Sequence, residues 1–447
     1  MPSTFFDVLT RAPGVVAGWP DYAKRPDSRR GAPRDAPDGD AGRFLFATGI
    51  ECSYPTALGR DGRPVRRDQL AECGHYVRWR EDLALVRDLG LRVLRYGLPY
   101  YRVHLAPDRY DWGFADAALA EIRRLGITPI LDLLHFGVPD WVGDFQNPEL
   151  PLHFARYADA VAERYPWVRF YTPVNEVYIA ARASARDGLW NERLRSDRAF
   201  VTALTHLAAA GKLAAAAIAR RRPDAVFVQS ESTEITHDLH GVPDPATDFG
   251  NEVRFLALDL LYGHQPRGDV ALYLLDHGLT REAYAWFMRG EPPGYHVLGN
   301  DYYGRNEWLV LPDGSRRQAE EIAGWYGVSK LYQWRYGKPM MHTETNVFDA
   351  DAAPMWLWRQ WLNVLRTRAD GYPVVGFTWY SLTDQIDWDT ALAEQNGRVN
   401  ACGLYDLDRH PRPVAAAYRT LLAEFGHLST LGKTDLFALA DGPARGR

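Results

Sequence analysis

The stretch VRFYTPVNE, residues 168–176, is a short apolar run that ends in an amide and a carboxylate, Asn175 and Glu176. A second run, PMMHTETN at residues 339–346, carries a carboxylate, Glu344, near its end. Both runs are largely apolar or β-branched, a pattern typical of parallel strands that are buried on both faces. The sequence therefore predicts two buried strands whose C-terminal ends each deliver a glutamate.

Six more runs of this kind occur along the chain, and helical patterns separate them. Two of these helical patterns stop before a glycine, Gly90 or Gly126, which is a common way for a helix to end. Eight strands alternating with helices favour a (β/α)8 barrel over a doubly wound sheet, since no glycine-rich turn accompanies the first strand. The predicted strands are residues 44–53, 92–100, 127–136, 168–176, 225–232, 296–304, 339–346 and 374–381.

The barrel is expected to form a single domain over residues 43–428. Residues 20–43 are rich in proline, arginine, aspartate and glycine, so residues 1–42 are predicted to be a mobile N-terminal arm. Residues 429–447 are predicted to be a weakly structured C-terminal tail.

The composition argues against several classes of partner. A net charge of −5 provides no basic field for nucleic acid or an anionic membrane, and no apolar run reaches the roughly 18 residues of a spanning helix. The N-terminus lacks the basic start and apolar run of a secretory leader. The cysteines Cys52, Cys73 and Cys402 fit neither a metal motif nor a disulfide framework. We therefore expect a cytoplasmic protein without a metal or other cofactor, and the sequence leaves its oligomeric state open.

Polar and aromatic residues cluster at the predicted C-terminal strand ends, where a barrel of this type gathers its functional groups. A merely structural barrel would have little reason to place such residues at one rim. The candidate site residues, in chain order, are Arg95, His135, Asn175, Glu176, Tyr303, Glu344, Trp379, Tyr380, Asp387 and Trp388.

Two of these candidates, Glu176 and Glu344, end the fourth and seventh strands and are expected to face each other across the barrel mouth. Cleavage of a glycosidic bond with retention needs one carboxylate to attack the anomeric carbon and one acid to protonate the leaving oxygen, with carboxyls roughly 5–5.5 Å apart. Arg95 and Tyr303 are expected to keep Glu344 ionised, and that charge would raise the pKa of Glu176. Asn175 would hydrogen-bond to the sugar's 2-hydroxyl.

Five motifs in chain order resemble those of glycoside hydrolase family 1 over roughly residues 44–408. They are FLFAT at 44–48, HFGVP at 135–139, TPVNE at 172–176, TETN at 343–346, and GFTWYSLTDQIDW at 376–388 followed by GLYD at 403–406. The resemblance implies a retaining β-glycosidase in which Glu176 is the acid/base and Glu344 the nucleophile. It also implies that His135 and Asn175 contact the sugar, and that Asp387 binds its distal hydroxyls beside Trp388.

The chain departs from this family pattern at sugar-binding positions. Glu51 or Ser53 stands near the place of a family glutamine, Asp301 replaces an asparagine, and Asp387 replaces a longer glutamate. An ungapped alignment also puts Tyr380, instead of Trp379, at the family's tryptophan.

Since the departures spare both glutamates, we expect retained chemistry on a carbohydrate or glycoside substrate, with the sugar undecided. Two alternatives stay open. One is a transglycosidase, which passes the sugar to an alcohol or another sugar, and the other is a barrel that binds carbohydrate without cleaving it.

Overall fold

The computed structural model describes residues 5–11, 42–239 and 244–430, and its centre is a closed barrel of eight parallel strands. Neighbours in the barrel follow chain order, and β1 pairs with both β2 and β8. The predicted (β/α)8 barrel is thus confirmed. The strands are β1 (Leu45–Ile50), β2 (Val93–Gly97), β3 (Thr128–Asp132), β4 (Phe170–Thr172), β5 (Val226–Ser232), β6 (Tyr295–Asp301), β7 (Met340–Glu344) and β8 (Val374–Trp379).

Helices separate these strands and surround the barrel. Their bounds are Phe5–Arg11, Gln69–Glu72, His75–Asp88, Tyr100–Val103, Gly113–Arg124, Leu150–Arg164, Val177–Ala185, Asp197–Arg221, Pro245–Val253, Leu256–Tyr262, Gly268–Asp276, Arg281–Phe287, Gly324–Tyr336, Ala353–Ala369 and Pro413–Phe425. Short strands outside the barrel are Thr56–Leu58 with Pro64–Arg66, His104–Ala106 with Arg109–Tyr110, Ile235–Asp238 with Glu307–Val310 and Arg316–Gln318, and Gln385–Ile386 with Val399–Asn400.

The barrel interior is filled by apolar side chains, most of them branched. They form a core of their own, separate from the larger core between the strands and the helices. A packed interior of this kind leaves polar groups to the strand ends. Its members are Leu45, Ala47, Val93, Ile130, Phe170, Val226, Val228, Val297, Met341 and Val375.

The long alanine-rich helix Asp197–Arg221 lies in the core. Among the described residues it alone has the length and composition to cross a membrane, but 94% of its apolar window is buried inside the protein. Its Lys212 donates to the carbonyl of Phe287 at 2.8 Å, at the end of another helix. A buried cation that is bound by carbonyls fits the interior of a folded domain.

Phe5 packs onto this helix. Phe5, in the helix Phe5–Arg11, is buried, and its ring lies 5.6 Å from that of His206 and 6.1 Å from that of Trp286. Part of the predicted arm, residues 5–11, is therefore helical and its first residue docks onto the barrel. The rest of that arm, apart from Gly42, lies outside the described residues. Residues 431–447 of the predicted tail also lie outside them. Ser429, at the start of the predicted tail, forms an antiparallel β-bridge with Arg43.

Candidate active site

A cavity of about 260 Å³ opens at the C-terminal ends of the barrel strands. Its lining includes residues that follow or end β1, β3, β4, β6 and β7, as the strand rule for this fold predicts. Half of the ten candidate residues line it directly: His135, Glu176, Tyr303, Glu344 and Trp388.

Glu344 ends β7 and is held by two donors. The Arg95 guanidinium donates to Oε1, and the Tyr303 hydroxyl donates to Oε2 at 2.7 Å. The neighbouring Tyr302 instead donates to Glu307 at 2.6 Å. A cation and a hydroxyl on one buried carboxyl stabilise its charged form.

Arg95, on β2, connects Glu344 to the opposite side of the rim. Its Nη2 donates to Asp132 Oδ2 at 2.8 Å and to Asn175 Oδ1 at 2.5 Å. The side chain is almost fully buried, so these partners replace the water that the cation loses. One arginine thereby fixes a carboxyl on β7, a carboxyl on β3 and an amide after β4.

The amide of Asn175 is oriented by its two neighbours. Arg95 takes the amide oxygen, so the NH2 group faces His135 Nε2 and donates to it at 3.0 Å. His135 in turn binds Asp132 Oδ2 through Nδ1 at 2.7 Å. In this arrangement the imidazole carries its proton on Nδ1. Asn175 keeps one N–H and one oxygen lone pair for a ligand.

Glu176 lies at a bend between β4 and the helix Val177–Ala185. Its backbone is left-handed, with φ of 40°, a conformation that costs a non-glycine residue on the order of 1–3 kcal/mol. Its amide donates to the Ser230 carbonyl at 3.0 Å and so helps to fix the bend. Burial raises the pKa of the Glu176 carboxyl well above its usual range, and the charges of Asp301, Glu344 and Glu231 raise it further.

A third carboxyl, Asp301 at the end of β6, lies beside the two glutamates. Oxygens of Glu176, Asp301 and Glu344 all lie within 4.8 Å of one another. Burial, followed by the charge of Glu344, raises the pKa of Asp301 to about 7. Oxygen ligands at this spacing suit a hard divalent cation, but Arg95 already supplies a positive charge to Glu344.

Glu51, directly after β1, places a further carboxyl in the cavity. Gln385 Nε2 donates to its Oε2, and Trp388 Nε1 donates to its Oε1 at 3.2 Å. Burial raises the pKa of Glu51 to about 7. The cavity therefore contains an acid that changes its charge near neutral pH.

Five predicted binding residues lie outside the cavity lining: Arg95 and Asn175, described above, and Trp379, Tyr380 and Asp387. Asp387 is fully buried, and it accepts from Arg67 at 2.8 Å and from the backbone amides of residues 396, 397 and 398. Trp379 is also buried and donates to the Cys402 carbonyl at 3.0 Å. The ring of Tyr380 lies under the Arg95 guanidinium, 5.3 Å from ring centroid to Cζ.

Other residues of the site were not identified from the sequence. Asp132 lies three residues before His135. An aspartate at a strand end that is followed by a histidine is a pattern from which this residue could have been predicted. Arg182 forms ion pairs with Glu234 at 2.6 Å and Asp187 at 3.0 Å on one wall of the cavity. The pair with Glu234 joins elements 52 positions apart, so sequence spacing does not reveal it.

The model of glycosyl hydrolase family 1 matches residues 63–236, which contain β2 to β5 together with Arg95, His135 and Glu176. The chain is 22% identical over 373 residues to the aryl-phospho-beta-D-glucosidase BglH of Bacillus subtilis (strain 168), covering 71% of this chain and 77% of BglH.

The chain is thus similar to glycosyl hydrolase family 1 over residues 63–236. A second relative, the 6-phospho-beta-glucosidase AscB of Escherichia coli (strain K12), is 27% identical over 151 residues, 31% of this chain. That match spans 32% of AscB, so about a third of its length. The solved family 1 β-glucosidase of Thermotoga maritima superposes with a TM-score of 0.70 at 17% identity, covering 87% of this chain and 98% of the other. This structural likeness establishes the shared barrel fold.

Proposed function

We propose that this chain is a retaining β-glycosidase that removes a terminal β-linked sugar, with Glu344 as nucleophile and Glu176 as acid/base. The observation that carries the proposal is the pair of carboxyls within 4.8 Å in one cavity, in opposite environments. Arg95 and Tyr303 bind the Glu344 carboxylate, whereas burial and acidic neighbours favour a proton on Glu176. Retaining cleavage requires carboxyls at roughly this separation, about 5–5.5 Å.

In the first step an oxygen of Glu344 attacks the anomeric carbon, and the bond from that carbon to the leaving oxygen breaks. Glu176 gives its proton to the leaving oxygen, so the aglycone departs as a neutral alcohol. The products are a glycosyl ester on Glu344 and a Glu176 carboxylate.

In the second step Glu176 takes a proton from a water molecule while the water oxygen attacks the anomeric carbon. The ester bond to Glu344 breaks, and the sugar leaves with its original configuration. Formation of the ester removes the charge of Glu344, which lowers the proton affinity of Glu176, and the loss of the ester restores it.

The cavity also offers groups to a sugar's hydroxyls. Glu51 and Trp388 line the cavity beside the proposed catalytic pair, and Asn175, which is buried outside the lining, keeps one N–H and one lone pair. Two relatives are named for phosphorylated glucosides. Arg182 and Arg305 are among the residues that line this cavity, so phosphorylated substrates belong in the first tests.

A panel of 4-nitrophenyl β-glycosides tests the proposal. It should contain the glucoside, galactoside, fucoside, mannoside, glucuronide and 6-phosphoglucoside. We expect turnover of at least one member, with the β-anomer of the free sugar appearing first by proton NMR. First appearance of the α-anomer would contradict retention, and tight binding without turnover would favour a carbohydrate-binding barrel.

A transglycosidase would use the same intermediate. If the protein is a transglycosidase, an added alcohol or sugar acceptor should capture most of the glycosyl group, even though water is the solvent. Product analysis at increasing acceptor concentration separates it from a hydrolase, whose main product remains the free sugar.

We also propose a cytoplasmic location. Cys52, Cys73 and Cys402 are free thiols, which fits a reducing compartment. Fractionation of the producing cells tests this, and recovery of the protein outside the cytoplasm would contradict it.

The charge of Glu51 is expected to control substrate affinity near neutral pH. Its pKa of about 7 makes it neutral below that pH and a carboxylate above it. A carboxylate accepts stronger hydrogen bonds from sugar hydroxyls than a neutral acid does, so KM should fall about fivefold from pH 6 to pH 8. The variant Glu51→Gln keeps the shape without the titration, and its KM should change little over this range.

The matched control is Asp387→Asn, which removes a carboxylate from the buried contact with Arg67 outside the cavity lining. This variant should unfold at a lower temperature but keep the pH dependence of KM. If Glu51→Gln retained the full fivefold change, Glu51 would not be the titrating group.

A further inference from the structure

We propose that Asp301 is a positioning residue that acts through Glu176. Its charge keeps Glu176 protonated up to a higher pH than a neutral side chain at position 301 would. This inference rests on the proposed function of Glu176. It concerns a residue outside the cavity lining, so Asp301 exerts its effect through its neighbours, without touching the substrate.

The first support is position. Asp301 ends β6 and pairs in register with Glu344 on β7 and with Ser232 on β5. Its side chain is fully buried, and its oxygens come within 4.8 Å of those of both glutamates. Carboxyls this close in a buried site cannot all be ionised at little cost, because like charges there repel strongly.

The second support is how Asp301 is held. The Ser230 hydroxyl lies 2.8 Å from Oδ1 and 2.6 Å from Oδ2, within hydrogen-bond reach of both oxygens. Ser230 also offers its backbone carbonyl to the amide of Glu176. One residue of β5 therefore contacts both members of the proposed pair.

The third support is the balance of charge around the pair. Arg95 is the cation facing these carboxyls, and it already binds Glu344 and Asp132. The other titratable groups that act on these carboxyls are the acids Glu51, Glu231, Tyr303 and Tyr380, together with His135, which acts on Glu344 and pairs with Asp132. Among the ion pairs of the described residues, neither Glu176 nor Asp301 has a cationic partner, so these two carboxyls compete for protons.

Asp301 and Glu176 should therefore titrate as a coupled pair. The first proton leaves near pH 7, in line with the pKa of Asp301, and the resulting charge holds the second proton on Glu176. The alkaline limb of kcat/KM reports loss of that second proton. A neutral residue at position 301 removes the charge, so Glu176 would lose its proton at lower pH.

The test is the variant Asp301→Asn, which keeps the shape of the side chain without its charge. We expect the alkaline limb of kcat/KM for an aryl glycoside to move about one to two pH units toward acid. At pH 8 this shift lowers kcat/KM by about tenfold or more, while kcat/KM near the new pH optimum is retained. An alkaline limb that stays in place would overturn the proposal.

Two further variants guard against a folding defect. Ser230→Ala removes the hydroxyl that holds Asp301, favours the neutral form of Asp301, and should shift the limb the same way by a smaller amount. Asp259→Asn removes a buried carboxylate that pairs with Arg335 outside the cavity, and it should leave the limb in place. A shift of equal size in this control would also overturn the proposal.

Infrared titration of the protonated carboxyl band separates this proposal from the proposed function. The band should persist to higher pH in the unaltered protein than in Asp301→Asn. When both proteins also carry Glu176→Gln, this difference between them should vanish. Neither result depends on which substrate the protein cleaves. Absence of turnover with the expected infrared shift would contradict only the glycosidase assignment. Turnover without that shift would contradict only the role of Asp301.

Discussion

Replacement of Glu344 by glutamine should reduce kcat for the best aryl β-glycoside by about 10⁴-fold or more. The amide cannot form the glycosyl ester, so the reaction loses its covalent route. The side chain keeps its volume and its contact with the Tyr303 hydroxyl, and the variant should fold. Steady-state kinetics at the pH optimum, with melting temperature as a check on folding, measure the effect.

Covalent labelling identifies the same residue directly. A 2-deoxy-2-fluoro glycosyl fluoride of the preferred sugar should inactivate the unaltered enzyme, and peptide mass spectrometry should place the label on Glu344. The matched control is Tyr303→Phe, which removes one hydrogen bond to the nucleophile and should cost about ten- to a hundredfold. A label on Asp301 or Glu176 would refute the assignment of the nucleophile.

Replacement of Glu176 by glutamine should give a loss that depends on the leaving group. Substrates with poor leaving groups need the proton and should lose about 10²–10⁴-fold in kcat/KM. A dinitrophenyl glycoside leaves without protonation, so its kcat/KM should change much less. Comparing a series of aryl leaving groups across the two enzymes measures this difference.

The second half-reaction provides an independent check on Glu176. Without a base for water, the glycosyl ester should accumulate and an initial burst of dinitrophenol should appear. Added azide needs no base and should restore turnover as a β-glycosyl azide. The control Asp259→Asn changes a buried carboxylate that pairs with Arg335 outside the cavity, and a similar leaving-group dependence there would contradict the assignment.

The sequence was sufficient for the barrel because each strand is a largely apolar or β-branched run, a pattern that indicates burial on both faces. It also indicated Glu176 and Glu344, since a residue at the end of a parallel strand has only one rim to occupy. The pairing of β6 with β7 then follows from chain order, and it brings Asp301 beside Glu344.

Contacts between distant elements were beyond the reach of the sequence. Arg67 and Asp387 are 320 positions apart along the chain. Nothing in the sequence shows that Arg67 binds Asp387 and holds it under a loop. The same limit applies to Phe5, whose partners His206 and Trp286 come from helices more than 190 residues away. Glu51 was noted as a departure, but its contact with Trp388 depends on how the last loop folds back over the first strand.

The concentration of buried acids at the cavity has a consequence for how long this protein survives in solution. Glu51, Glu176, Glu231 and Asp301 all have a pKa raised by burial in the folded chain, so each holds its proton more tightly there than in the unfolded chain. Their contribution to stability is present at pH 4 and is lost as the pH rises toward 7. These four acids therefore shorten the protein's thermal lifetime at neutral pH, and variants with neutral side chains in their place should last longer there.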